Sequence, residues 1–360
     1  MTGRGLDQVL PTPGSPALYE PSVRDARDYV RLAERTSGAI PRQAPAARVW
    51  GEALEVLEGQ RPDLRIINLE TAVTTASRPA TEKGIHYRMH PGNIRCLQAA
   101  RIDCCALANN HVLDWSRAGL EETLAVLDRH GIQHAGAGRD AAEASAPAVL
   151  TPERGARLLV FSCAAGDSGV PVHWNAAAER PGVFRLEALS RRSARALAAH
   201  IRSRREPGDR VMLSIHWGGN WGFNIPQAHR DFARALVEEG VVDLVHGHSS
   251  HHVRGFEVYR GRLILYGCGD FINDYEGIGG HEQFRGELSV MYFPRLDPDS
   301  GALDSLVLVP TRMRRMRIER ATGTDRQWLL ETLRRESGFL DPRIVIEDSG
   351  DCFQVEPPRD

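Results

Sequence analysis

A mixed α/β fold is the class this sequence predicts, and three observations predict it. From Arg61 onward, short β-rich runs alternate with segments whose apolar residues recur at helical spacing. The strand-like runs end in Asn, Glu or His, and strand ends are where α/β sheets place their sites. After His252 the pattern changes to paired strands joined by short turns, which adds an antiparallel part.

Residues 1–60 are rich in Pro, Gly and Arg and read as an irregular N-terminal arm, with one helical segment near Ser22–Arg35. Asp63–Glu70 and Arg101–His111 are short buried strands with polar ends. In Ser116–Gly131, Leu120, Leu124 and Leu127 share one helical face and Gly131 stops the helix. Strand Ala156–Ala164, basic-faced helix Ser190–Arg205, strand Asp209–Gly218, helix Ala228–Gly240 and strand Val241–His248 continue the alternation. Phe256–Gly267 predicts a hairpin about Arg260-Gly261. Glu287–Arg295 and Leu303–Ile318 predict a second strand pair, joined by the turn Asp297–Gly301. The main domain spans residues 61–320, and residues 321–360 form a C-terminal helix, near Asp325–Glu336, and a polar tail.

A net charge of −2 supplies no basic field to attract nucleic acid or an anionic membrane. No run approaches the roughly 20 apolar residues of a membrane span, and the N-terminus lacks the apolar core of a signal peptide. Six cysteines without a CxxC pair predict a reduced, cytoplasmic protein. Arginine greatly outnumbers lysine, a bias given no functional weight.

Four strand-end clusters carry the chemistry: Asn68–Glu70, Leu107–Trp115, Ser214–Trp221 and Asp243–His252. Alone, Glu70 is a metal-bridging carboxylate or a surface acid. Two asparagines in succession suit a turn that needs their side chains. An Asn110 amide oxygen can ligate a metal, His111 can act as ligand or general acid, and Asp114 can orient it. His216 precedes Gly218-Gly219, where the backbone can approach a ligand closely. His248 and His251 concentrate imidazole, the commonest transition-metal ligand. His246 is left out, on the expectation that it faces the other side of its strand, and His252 is a spare. Together, Glu, Asn and three His form an N/O field suited to one or two divalent ions, Mn, Zn or Fe. Substrate contacts are assigned to Arg88, Trp217, Asn220 and Asp270; an arginine can clasp a carboxylate or phosphate.

NLETAVT, LANNHVLDWSRAGLEETLAVLDRHGIQHAGAGRD, SIHWGGNW and DLVHGHSSHHVRGFEVYRGRLILYGCGDF resemble the CapA family of capsule and poly-γ-glutamate synthesis proteins. The resemblance covers roughly Arg61–Asp274 and implies a calcineurin-like metallophosphatase fold, a four-layer αββα sandwich of two mixed sheets flanked by helices. It implies Glu70 as the bridging acid, Asn110, His216 and His248 on one metal and His251 on the other. His111 becomes the general acid with Asp114 behind it. The chain departs from the family in three places. The family's Gly-Asp strand is expected just before residues like Met1-Thr2-Gly3-Arg4-Gly5; the expectation is a start further upstream that supplies it, and the alternative is a short form whose second metal has lost a ligand, which binds one metal or acts non-catalytically. GHSSH stands for GHHPH. Gly269-Asp270-Phe271 stands for Gly-Asn-Phe, and Asp270 can replace a missing ligand. The membrane anchor many members carry is not visible.

The resulting expectation is a metal-dependent hydrolase or transferase of capsule or poly-γ-glutamate biosynthesis, acting on a phosphoryl or acyl centre. Its substrate is a small molecule or a glutamate polymer, with a capsule-type synthase as a candidate partner. A non-catalytic component that binds a polyanion or synthase, and a soluble enzyme that forms or cleaves amides, are the alternatives. The first would use the arginines of Arg191–Arg205 and Arg312–Arg320, which equally read as solvated faces.

Overall fold

The computed structural model describes residues 1–358; the last two positions of the expected tail lie outside the described residues. The chain runs through α1 (Arg27–Ser37), α2 (Ala53–Gln60), β1 (Ile66–Asn68), β2 (Ala72–Val73), β3 (Arg88–Met89), α3 (Arg95–Ala99), β4 (Cys104–Ala106), α4 (Ser116–Arg129) and β5 (Gln133–Ala135). It continues through β6 (Ala137–Gly138), α5 (Ala141–Ser145), β7 (Ala148–Leu150), β8 (Leu158–Ala165), β9 (Gly182–Val183), β10 (Arg185–Leu186), α6 (Arg191–Arg202), β11 (Arg210–His216), α7 (Gln227–Glu238) and β12 (Leu244–His248). β13 (Phe256–Tyr259), β14 (Arg262–Leu265), β15 (Leu288–Leu296), β16 (Leu303–Arg314), β17 (Arg317–Arg320), α8 (Gly323–Leu340), β18 (Val345–Asp348) and β19 (Phe353–Glu356) complete it.

The class is mixed α/β with several sheets. The largest has seven strands, ordered β10-β8-β11-β12-β14-β13 with β7 against β8. Its centre is parallel, and β7 and β13 add antiparallel edges. An antiparallel five-stranded sheet runs β15-β16-β19-β18 with β17 on β16, and β1-β4-β5 form a parallel three-stranded sheet. Two small sheets pair β2 with β3 and β6 with β9.

Alternating side chains divide the interior into cores, because successive strand residues face opposite ways. Leu159, Phe161 and Cys163 of β8 pack with Leu197 and Ile201 of α6 and Phe232 and Leu236 of α7. Val160, between them, joins Leu263, Phe256, Leu288, Leu306 and Cys104, which ties the seven-stranded sheet to the other two large ones. Cys105, Met291 and Val309 face a further core with Leu120, Leu124 and Leu127 of α4. Leu6, Val9, Val30 and Trp50, from the segment read as an arm, belong to that same core.

Two sequence readings are corrected. Leu303–Ile318 is not one strand: it turns at Arg315-Met316, both at positive φ (50° and 51°), and returns as β17. The segment after α8, read as a polar tail, holds β18 and β19; Phe353 and Val355 turn inward while Gln354 and Glu356 face solvent. The hairpin at Arg260-Gly261 forms as predicted, with φ of 48° and 71° at its two corners.

The functional strand ends are set by register. His216 pairs directly with His248 across β11 and β12. Asn68 pairs with Ala106 across β1 and β4, so the chain leaves these strands toward Glu70 and toward Asn109–His111 side by side.

Candidate active site

The turn after β4 is built by its first asparagine. Asn109 Nδ2 donates to Asn68 Oδ1 and to the Leu69 carbonyl, both at 3.0 Å, and its Oδ1 accepts from His111 N at 3.1 Å. Asn109 is therefore spent on local geometry, whereas Asn110 Oδ1 is buried and has no hydrogen-bond partner among the described residues. Glu70 is also buried; its Oε2 accepts from Asn68 Nδ2 at 2.7 Å. Its Oε1 lies 4.0 Å from His216 Nε2, a second buried atom without a hydrogen-bond partner among the described residues.

His216 and His248 lie with their Nδ1 atoms 2.8 Å apart, so one imidazole donates a proton and the other accepts it. Both stay neutral. Burial, then His251 and Lys83, push His216 down to about 3, and burial beside His216 and His246 holds His248 well below its usual value. Ser214 Oγ is 3.0 Å from His248 Nε2 and 3.0 Å from His246 Nδ1. This corrects the placement of His246: residues two apart on a strand share a face, and His246 sits behind His248. His248 thus has both nitrogens engaged by protein neighbours. His251 Nδ1 lies 2.9 Å from Asp270 Oδ2; burial opposes its charge, but Asp270 and Glu70 outweigh burial and raise it.

His111 and Asp114 form a buried pair, Nδ1 to Oδ2 at 2.6 Å. The same Oδ2 accepts from Tyr87 N at 2.7 Å. Lys83 Nζ donates to Asp114 Oδ1 at 2.6 Å and to the Asn110 carbonyl, and lies 3.1 Å from His111 Nδ1. Burial and the Lys83 charge lower His111 despite Asp114. Burial would raise Asp114, but His111 and Lys83 overbalance it and hold the carboxyl below its ordinary value. Lys83 was missed in the sequence, although the signal was there: it is the only lysine in the chain.

Two tyrosines back the two histidines. Tyr87 meets the His111 ring edge-on at 4.7 Å and Tyr275 meets His251 at 5.3 Å, with the two hydroxyls 3.3 Å apart. Beneath them the N-terminal segment is locked to the chain after Asp270. Arg4 holds Asp274 through Nε at 2.9 Å and a terminal nitrogen at 2.6 Å, and its guanidinium lies 3.7 Å over Tyr29.

The expected substrate residues are not brought together. Arg88 lies 3.7 Å over the Trp115 ring and donates to the Ala76 and Ser15 carbonyls. Trp217 is fully buried, stacked between His229 and Tyr266, with Nε1 on the Tyr266 carbonyl at 3.0 Å. Asn220 is exposed and uses its backbone carbonyl to accept from His251 N at 2.9 Å. Asp270 stays beside His251. The aromatic next to the site is Trp221, 5.4 Å from His251 and stacked on His281 at 4.1 Å.

Among the described residues no three His, Cys, Asp or Glu side chains stand in a metal-ligating arrangement. The residue types nevertheless suit a divalent cation: His216 Nε2 and Asn110 Oδ1 are buried polar atoms without a hydrogen-bond partner among the described residues, and a carboxylate faces the first.

Residues 1–275 match the family model for bacterial capsule synthesis protein PGA_cap, and the chain belongs to that family. It is 48% identical over 346 residues to a probable polyglutamine synthesis accessory protein of Mycobacterium tuberculosis, covering 96% of this chain and 91% of the relative. It is 25% identical over 210 residues to the PGA biosynthesis protein CapA of Bacillus subtilis, covering 58% of this chain and 52% of the relative. The capsule biosynthesis protein CapA of Bacillus anthracis is 25% identical over 199 residues, 54% of this chain and 45% of the relative. No helix among the described residues is long and apolar enough to cross a membrane.

Proposed function

We propose that this chain is a metal-dependent hydrolase or transferase of polyglutamate or capsule-type biosynthesis, built on a metallophosphatase-type sandwich. The single observation that carries the reading is His216 Nε2, a buried atom without a hydrogen-bond partner among the described residues that lies 4.0 Å from Glu70 Oε1; Asn110 Oδ1, next in sequence to the buried His111–Asp114 pair, is another such atom. One or two Mn, Zn or Fe ions would be held by Asn110, His216 and Glu70, with His251 and Asp270 on the second side. A bound ion would activate water and polarise a phosphoryl or acyl centre. His248 orients His216 through the Nδ1 contact and fixes which nitrogen carries the proton. Asp114 and Lys83 hold His111 by its Nδ1 side, which leaves Nε2 to pass a proton to the leaving group.

The test is metal content by mass spectrometry together with turnover of aryl phosphate and γ-glutamyl anilide substrates. His216→Ala and Asn110→Ala should each weaken metal binding by at least about 100-fold, the upper end of what loss of a supporting residue causes. Metal retention and turnover unchanged in His216→Ala would overturn the reading. A second reading, a non-catalytic accessory component that binds a synthase or a polyanion, is favoured by the lack of three converged metal-ligating side chains among the described residues. It also agrees with the word accessory in the name of the Mycobacterium tuberculosis relative. Substrate turnover abolished by His216→Ala would exclude it.

A further inference from the structure

We propose that the groove beside the His111–Asp114 pair docks an acidic chain, a polymer with one carboxylate per repeat; this rests on the polyglutamate reading above. The cavity has a volume of about 450 Å³, and Arg78, Glu82, Ser116, Arg117, His173 and Trp174 are among its lining. That size falls within the roughly 300–1,000 Å³ of ligand clefts.

The charges in the groove are unevenly satisfied. Arg78 is exposed and has no hydrogen-bond or ion-pair partner among the described residues. Arg117 gives its donors to two carbonyls, Pro181 at 3.2 Å and His173 at 3.0 Å, and has no carboxylate partner among the described residues. The carboxylate in the lining, Glu82, is taken up by His173 Nε2 at 2.8 Å and Trp174 Nε1 at 3.3 Å. The Arg78 guanidinium is left to meet an anion from outside through paired N–H bonds, and Arg117 adds a positive charge that no carboxylate among the described residues neutralises. On α6, by contrast, Arg191 and Arg202 face Glu238 and Glu239.

The groove also abuts the chemistry. Glu82 precedes Lys83, whose Nζ lies 5.2 Å from the centre of the Trp174 ring that lines the groove. Ser116 and Arg117 open α4 only two and three residues after Asp114. A chain held by Arg78 and Arg117 would be led past Trp174 toward His111.

The experiment uses the full chain and a fluorescein-tagged decamer of γ-linked glutamate, with a glutamine decamer as the neutral probe, read by anisotropy. Arg78→Glu removes an exposed, unpartnered charge and leaves the fold intact; Arg78→Glu/Arg117→Glu extends it, and Arg191→Glu on α6 controls for net charge. The acidic decamer should bind at least about tenfold more tightly than the neutral one, and Arg78→Glu should lose roughly tenfold, as for one charge-assisted hydrogen bond. Arg191→Glu should stay within about twofold, since distant exposed pairs contribute little. Equal affinity in Arg78→Glu, an equal loss in Arg191→Glu, or equal binding of both decamers overturns the groove. Metal content measured on the same samples separates the two ideas. Decamer binding without metal supports the groove and sinks the metal reading, and metal without decamer binding does the reverse.

Discussion

Lys83→Met tests whether one lysine holds the His111–Asp114 pair in place. Asp114 is fully buried, and the substitution removes the ammonium that lies 2.6 Å from its Oδ1. Two partners remain on Oδ2, His111 Nδ1 at 2.6 Å and Tyr87 N at 2.7 Å. Breaking a buried ion pair by removing one partner costs about 3–5 kcal/mol. The surviving bonds place this case at the lower end, about 3 kcal/mol. At roughly 1.3 °C per kcal/mol for a chain of 360 residues, the melting temperature should fall by about 4 °C. Lys83→Arg keeps the charge and should lose less than half as much, although its fork cannot reproduce all three contacts of a point charge. Calorimetry at neutral pH reads the singles, and a cycle with Asp114→Asn reads the coupling, expected near 2 kcal/mol. A Lys83→Met protein that melts within about 1 °C of the parent, or a cycle in which the two changes simply add, would refute the assigned role.

The acid limb of stability should be governed by the strand-end histidines. The folded value of His216, about 3, lies below the unfolded value near 6.5. Its contribution is therefore intact above about pH 6.5 and lost as the pH falls toward 3, by up to about 5 kcal/mol for the metal-free chain. His251 acts in the opposite sense, since its raised value gives stability that is present at low pH and lost as the pH rises through its folded value. Urea midpoints between pH 8 and 4 should fall on the acid side, and a flat profile would contradict the buried pair. Arg260→Asn should stabilise the β13–β14 turn by about 0.5 kcal/mol. Asparagine accepts the positive φ of 48° more readily than arginine does. A lower melting temperature would count against that turn assignment.

The parallel strands and their helices were legible because their signals are local. Leu120, Leu124 and Leu127 mark a buried helical face within about two turns of chain, and β8, β11 and β12 read as apolar runs because both their faces are covered. The hairpin at Arg315-Met316 was not legible, because arginine and methionine carry no turn signal and only the pairing of β17 with β16 holds them at positive φ. β19 hid in a polar segment because just one face of it is buried. Glu70, Asn110, His111, His216 and His251 were singled out by residue type at strand ends, and their role as a site is the proposal made above. Arg88 and Trp217 did not deserve the same inference. Their proximity in sequence to the motifs was real, but each side chain is consumed elsewhere, Arg88 on the Trp115 face and Trp217 in a stack.

What sequence spacing could not supply was the division of labour between neighbours of the same type. Asn109 and Asn110 are adjacent, yet one satisfies three polar groups of the turn and the other is left with a free oxygen. His216 and His248 are paired in register, yet His248 has both nitrogens engaged while His216 keeps one unsatisfied. In each pair the member with no free donor fixes the member that has one. Asn109 does this through the backbone of the turn, and His248 through the shared proton. A substitution that leaves the free atom present but removes its support, such as His248→Phe, should therefore loosen the site without deleting its proposed ligands. That pattern narrows the proposed site more sharply than the count of histidines in GHSSHH, because it identifies which buried polar atoms lack a partner among the described residues.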